Sequence, residues 1–327
     1  AAALSACGGS SASSAAASSV ASSTAASVSA AADGQKFTVG ICQLVQHAAL
    51  DAATQGFEDA LTASFGENVT FDFQNAQGDS ATCATITNGF VSSGVDLIMA
   101  NATQAVISSA TATSDIPIVG TSVTDYATAL DISDWSGTTG RNISGTSDLA
   151  PLSEQAAMLN ELFPDAKNVG LLYCSAEANS QYQIDVIKEE LEKLNYTCTA
   201  YSFVDSNDIA SVVQSAVNDN DVLYVPTDNT AASNTEVINN IAGEAGVPII
   251  AGEAGICKGC GVATLSISYY DIGYTAGKMA YDVLVNGADI STMDVQYAEN
   301  VTKEYNADIC SQLGITVPDD YTAIAAE

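Results

Sequence analysis

Basic side chains are nearly missing from this sequence: eight Lys and Arg stand against 39 Asp and Glu over 327 residues, a formal net charge of −31. A surface that grips nucleic acid neutralises phosphates with clustered Lys and Arg, so a nucleic-acid partner is excluded. The same shortage rules out a polybasic hold on a membrane, because anionic headgroups would repel this chain. Histidine occurs once, at His47, and any Ser–His–acid or Cys–His device would have to use it. No Gly-x-Ser-x-Gly elbow and no Gly-x-x-x-x-Gly-Lys phosphate loop is found, and without a second histidine the usual zinc patterns fail as well. No catalytic residue, metal or cofactor is therefore expected, and His47 is read as a helix-start or cleft-wall residue. Nor is there an apolar run of about 18 residues that could span a bilayer.

What the chain does have is apolar surface: 47% of its residues are hydrophobic and only 14% charged, against about 25% charged in an average soluble protein. Its length suggests two domains of roughly 100–200 residues each, both large enough to bury a core. The exception lies at the N-terminus. Residues 8–34 are almost wholly Ser, Ala, Gly, Thr and Val with one charge, Asp33, too little apolar surface to offset the entropy of ordering. Such a flexible tether would span about 30 Å as a Gly/Ser coil. It follows Ala1 to Cys7, and the chain opens on Ala rather than Met, so this start is read as the end of a secretory signal. Leu4-Ser5-Ala6-Cys7 before Gly8 resembles the bacterial lipobox, whose Cys thiol is joined to a diacylglyceryl group. Lipidation at Cys7 is the expectation, with the acyl chains as the only membrane contact.

From residue 35 onward the sequence repeats itself. Phe37-Thr38-Val39-Gly40-Ile41-Cys42 is echoed by Asn168-Val169-Gly170-Leu171-Leu172-Tyr173, with Val39 and Val169 130 residues apart. The run from Asp96 to Thr103 returns at Asp221 to Asp228, 125 residues on, and Pro117 in Ile-Pro-Ile-Val-Gly returns as Pro248, 131 residues on. Each segment is a short uninterrupted apolar run, the pattern of strands buried on both faces of a parallel sheet. Between them lie amphipathic stretches: 48–63 places Leu50, Ala53, Phe57, Ala60 and Leu61 on one face, with Gly66 as a stop, and 181–194 does the same with Ile184, Ile187, Leu191 and Leu194. The alternation predicts an α/β protein with two doubly wound parallel-sheet lobes joined by a three-strand hinge. The boundaries expected are 1–34 for the signal remnant, lipobox and tether, 35–147 plus about 267–292 for one lobe, and 148–266 plus about 293–327 for the other. Hinge crossings are expected near 145–149, 266–269 and 291–295.

In such sheets ligands bind beyond the carboxyl ends of the strands. Those ends carry Gln43, Thr103, Gln104, Thr121 and Ser122 in the first half and Ser175, Glu177, Asn179, Ser180, Asp228, Asn229 and Glu253 in the second. Hydroxyls, amides and helix N-termini suit a carboxylate, while Glu177, Asp228 and Glu253 suit a cation, so a ligand bearing both groups fits the mixture. Any one of these residues could equally be a helix cap. Asp79, Asp165, Asp205 and Asp208 are assigned to turns and caps alone.

Cysteine adds a rival. Setting Cys7 aside leaves Cys42, Cys83, Cys174, Cys198, Cys257, Cys260 and Cys310, an odd number. Cys257-Lys258-Gly259-Cys260 is a Cys-x-x-Cys, but a redox pair opens a helix, where the dipole lowers the thiol pKa, whereas this one is read as a Gly-rich loop before a strand. A local disulfide or two free thiols is the expectation, with an extracytoplasmic thiol–disulfide oxidoreductase as the alternative.

The run Val39-Gly40-Ile41-Cys42-Gln43-Leu44-Val45-Gln46-His47 and its continuation to Phe57 resembles the opening of the ABC-transporter substrate-binding lipoproteins of the tryptophan or aromatic amino-acid-binding type. Ser175-Ala176-Glu177-Ala178-Asn179-Ser180, Thr227-Asp228-Asn229, Gly252-Glu253-Ala254-Gly255 and the segment from Ser268 to Gly277 resemble it in the same order. The resemblance implies a type I periplasmic-binding-protein fold, a monomer whose lobes close on a small ligand, an aromatic or other hydrophobic amino acid, for an ABC permease at the extracytoplasmic face of the bacterial membrane. It implies cleft contacts from the twelve strand-end residues named above. A nucleoside or a sugar is the alternative ligand for the same fold, although the single tryptophan, Trp135, lies away from the strand ends where a sugar would stack.

Overall fold

The computed structural model describes residues 34–325, so Cys7, the lipobox and nearly all of the tether lie outside the described residues. The first run of elements is β1 Phe37–Gln43, α1 Ala48–Phe65, β2 Val69–Asn75, α2 Ser80–Ser93, β3 Leu97–Asn101, α3 Thr103–Ala112, β4 Ile118–Val123, α4 Tyr126–Leu130 and β5 Ile143–Ser147. The second is α5 Leu152–Leu162, β6 Asn168–Cys174, α6 Ala178–Lys193, β7 Thr197–Phe203, α7 Ile209–Asp219, β8 Val222–Val225, α8 Asn229–Ala232, α9 Thr235–Ala245, β9 Ile249–Ala251, α10 Ala254–Cys260 and β10 Ala263–Ser266. The chain then runs through α11 Tyr269–Leu284, β11 Gln296–Tyr297, β12 Thr302–Tyr305, α12 Ala307–Leu313 and β13 Thr322–Ala323.

These strands make two sheets, ordered β11-β5-β4-β3-β1-β2 and β13-β12-β10-β9-β8-β6-β7. The order β5-β4-β3-β1-β2 is repeated as β10-β9-β8-β6-β7, so the sequence repeat is a repeat of topology. All pairings within both runs are parallel, and β10 with β12 is antiparallel. Every residue of β3, β4 and β8 is buried, because helices cover both faces, and this is why these strands read as unbroken apolar runs. The chain is thus α/β with two doubly wound lobes, as the alternation predicts.

Three passages join the sheets, at 148–151, 267–268 and 298–301. The third falls later than the expected 291–295, since Gln296 and Tyr297 still pair with Thr146 and Ser147 of β5 in the first sheet. A two-residue strand on a sheet edge leaves no apolar run to read.

Helix α1 begins at Ala48 as expected and ends at Gly66, whose φ of 55° and N–H bond to the Thr62 carbonyl close the helix. It packs closely on α11. A Cβ on Gly273 would sit 2.0 Å from the Ala53 carbonyl oxygen, and one on Gly56 2.1 Å from that of Tyr270. The missing side chains let the backbones meet and seat Phe57, fully buried, beside Ala276, Met279 and Ala280. Burying such a ring contributes about 1.5–3 kcal/mol. α11 thereby returns the chain to the first lobe after β10.

Candidate functional site

The carboxyl ends of the two parallel sheets face each other across a cavity of about 430 Å³, within the usual size of small-molecule sites. Residues from 44–45, 77–80 and 103–107 form one wall and residues from 174–179, 204–206 and 229–234 the other. Leu44, Val45, Ile107, Cys174 and Val204 supply its apolar surface, and no aromatic ring is among the lining residues. The lobes also touch directly: Nε2 of His47 lies 3.2 Å from Oδ1 of Asn229, and Nε2 of Gln183 3.5 Å from Oγ1 of Thr124. His47 is both the N-cap residue of α1 and part of the contact between lobes.

Thr103, Gln104, Glu177, Asn179 and Asn229 are brought to the cavity wall. Thr103 opens α3, whose N-terminus has no side-chain cap and no acidic residue in its first turn. Its hydroxyl is buried with no hydrogen-bond partner, as is that of Ser122 at the end of β4. The backbone is strained at the same place: Ala102 has φ 92° and ψ 159°, and Ser122 has φ 56°. The first of these is a region open essentially to glycine, and such strain concentrates at ligand-binding positions. Unpaired N–H and O–H donors at a helix N-terminus form a receptor for an anion.

Other expected residues are taken up by hydrogen bonds within the protein. Gln43 is fully buried; its Nε2 donates to the Val45 carbonyl and to Asp51 Oδ1, and its Oε1 accepts from Thr54. That amide fastens the start of α1 to β1. Thr121 is buried against Thr146, and Ser175 is exposed with its hydroxyl donating to the Phe203 carbonyl. Asp228 caps α8, accepting from Ala231 N at 2.8 Å and from Cys174 N at 2.6 Å, and the buried Ser180 hydroxyl bonds it too. Burial, with Glu177 nearby, pushes the Asp228 carboxyl up to about 7. Glu253 caps α10 through the N–H groups of Gly255 and Ile256, and its burial raises its pKa against the opposing influence of His47. Glu177 lines the cavity while accepting from Asn229 and Thr230.

Two carboxylates assigned to turns and caps alone also reach the cavity. Asp79 caps α2 through Thr82 and Asp205 binds the N–H of Asn207, each with Oδ1, and both stand on the cavity wall. With Glu177 they set carboxylates on both walls of the opening, Asp79 on the first and Glu177 with Asp205 on the second, and no Lys or Arg lines it. A capping motif announces the local bond but not where the loop will lie in the fold.

The Cys-x-x-Cys is a correction to the sequence reading. Cys257 and Cys260 lie within α10 rather than in a loop, on free thiols that are buried. Glu253 supplies the N-cap that lets this Gly-rich stretch turn helical. Burial pushes both thiols well above their ordinary range, which disfavours the thiolate that redox exchange requires.

The sequence matches the ABC transporter substrate binding protein family over residues 38–327. The chain belongs to that family. It is 37% identical over 263 residues to a tyrosine-binding protein of Clostridioides difficile, covering 78% of this chain and 76% of that relative. Among solved structures it is similar to an ABC domain of Streptococcus pneumoniae in complex with L-Trp, with TM-score 0.83 and 31% identity over 87% of this chain and 97% of the other. It is also similar to the ligand-free, open form of a substrate binding protein with adhesive properties from Clostridium difficile, with TM-score 0.68 and 36% identity over 89% and 100% of the two chains. The fold is that of the type I periplasmic-binding proteins. Substrate-binding proteins of ABC importers capture small solutes outside the cytoplasm for a membrane permease, and among the described residues no helix is long and apolar enough to cross a membrane.

Proposed function

We propose that this substrate-binding protein captures an aromatic amino acid by closing its two lobes over it. The carrying observation is the pairing of opposite electrostatic features across one apolar cavity. The uncapped N-terminus of α3, with the unpartnered hydroxyl of Thr103, suits the ligand carboxylate. Glu177 and Asp205 on the opposite wall suit its ammonium, and Leu44, Val45, Ile107 and Val204 suit an uncharged side chain. The tyrosine and tryptophan in the names of two relatives support the same ligand class. The lobe arrangement supports closure: the chain superposes better on the L-Trp complex than on the open relative, although it is more identical in sequence to the latter. A sugar would gain no stacking platform from this lining, which speaks against the alternative ligand.

The protein acts as a monomer held at the extracytoplasmic face of the bacterial cell membrane by a lipid on Cys7. Titration calorimetry against tyrosine, tryptophan, phenylalanine, glucose and adenosine tests the reading. Micromolar or tighter binding of at least one aromatic amino acid is expected, on the order of −8 kcal/mol. Heat from glucose or adenosine but from no amino acid would overturn it.

A further inference from the structure

Below the cavity, where the lobes meet, Asp148 is only 4% exposed. It begins the first passage between the sheets. Its Oδ2 accepts from the Tyr269 hydroxyl at 2.8 Å, just past the second passage, and its Oδ1 accepts from Thr124 Oγ1 at 3.1 Å, just past β4. Both hydroxyls also meet the second lobe. Thr124 Oγ1 lies 3.5 Å from Nε2 of Gln183 on α6, and the Tyr269 phenol faces the side chain of Thr227 beyond β8. Gln183 and Thr227 are themselves joined, Gln183 Oε1 accepting from Thr227 N at 3.1 Å. One carboxylate is therefore the common acceptor of a network that includes two passages and both lobes.

Moving the lobes apart would part Gln183 from Thr124 and Thr227 from Tyr269, and water would reach the carboxylate. We propose that Asp148 is a positioning residue for lobe closure, a carboxylate that ties two passages together and takes up a proton as the lobes meet. The proposal rests on the reading that the lobes close over a ligand.

The titratable groups facing Asp148 are Tyr269 of α11, Tyr126 of α4 and Glu253 before α10, none of them a cation. Glu253 in turn faces His47 and Glu304. Burial, aided by Glu253, pushes the Asp148 carboxyl up from 3.8 to about 6 in this closed arrangement, against the lowering effect of its two hydroxyl donors. A carboxylate whose pKa rises on closing favours closure at low pH and loses that contribution as the pH climbs through 6. With a solvated value near 3.8 in the open form, ligand affinity should be about tenfold tighter at pH 5 than at pH 7.5. Over that window an amino acid keeps both its own charges.

Calorimetry of the full-length protein with tyrosine, tryptophan and phenylalanine, run in two buffers of different ionisation enthalpy, counts the protons directly. At pH 5.5 the wild type should take up about 0.7 of a proton per ligand bound. Asp148→Asn, checked as folded by circular dichroism, should take up about 0.7 of a proton fewer per ligand than the wild type and hold its affinity within about threefold from pH 5 to 7.5. Wild-type binding with no proton uptake overturns this proposal alone, and needs no variant to fold. Retention of the full pH slope by Asp148→Asn also overturns it, whereas absence of binding at every pH overturns the closure reading together with it.

Discussion

Thr103 offers a prediction in which stability and binding move in opposite directions. Its hydroxyl is buried, 3% exposed as a residue, with no hydrogen-bond partner. A buried hydroxyl left unpaired costs about 1–3 kcal/mol, whereas the same group bonded to a charged ligand contributes about 1.5–3 kcal/mol. Thr103→Val keeps the β-branched shape and removes only the polar atom. Without ligand the variant should therefore be more stable by about 1 kcal/mol, read as a rise of about 2 °C in melting temperature. With ligand, loss of a bond to the carboxylate should raise Kd by about 10- to 150-fold. Differential scanning calorimetry of the ligand-free protein and titration of the aromatic amino acid measure the two arms separately. A variant that melts lower and binds unchanged would refute the reasoning, because it would mean that the hydroxyl has a structural partner and no ligand to meet.

Two further expectations concern parts of the chain remote from the ligand. Gly273→Ala puts a Cβ 2.0 Å from the Ala53 carbonyl oxygen and must force α1 and α11 apart; overpacking of this kind costs about 1–3 kcal/mol or more, so a fall of several degrees in melting temperature is expected, and an unchanged melt would show that the helices can slide without loss. Cys7→Ser should abolish incorporation of radiolabelled palmitate in bacterial cells and release the protein into the medium, while ligand affinity of the purified protein stays unchanged; a variant that stays in the membrane fraction would remove the lipid anchor.

Strands β1, β3, β4, β6, β8 and β9 were legible because burial on both faces makes each an almost uninterrupted apolar run, and their near-constant offsets made the two-lobed repeat visible before any contact was known, whereas the partly exposed β2 and β7 carry no such run. The helices α1 and α6 were legible from their stripes, with ends displaced by a few residues where propensity yields to packing. Strand ends pointed to the site, because a parallel sheet opens at its carboxyl edge whatever covers its faces. Which side chains there are free is another matter. Gln43 ends a strand beside Thr54, Asp51 and Asn101, and these neighbours take up its amide although none adjoins it in sequence. Asp79 and Asp205 carried a correct local signal, a cap and a turn, and still arrived at the cavity.

The sequence by itself therefore determined the α/β alternation, the duplicated topology and the edge at which a ligand could sit. Burial and hydrogen bonding along a single strand or helix are local, and their period is written into the order of residues. Only the tertiary structure decided that Thr103 and Ser122 keep unpaired hydroxyls, that Cys257 and Cys260 are buried in a helix, and that Asp148, Tyr269, Thr124 and Gln183 meet. Those facts depend on how two lobes built from distant segments are set against each other, and no short-range pattern encodes that arrangement.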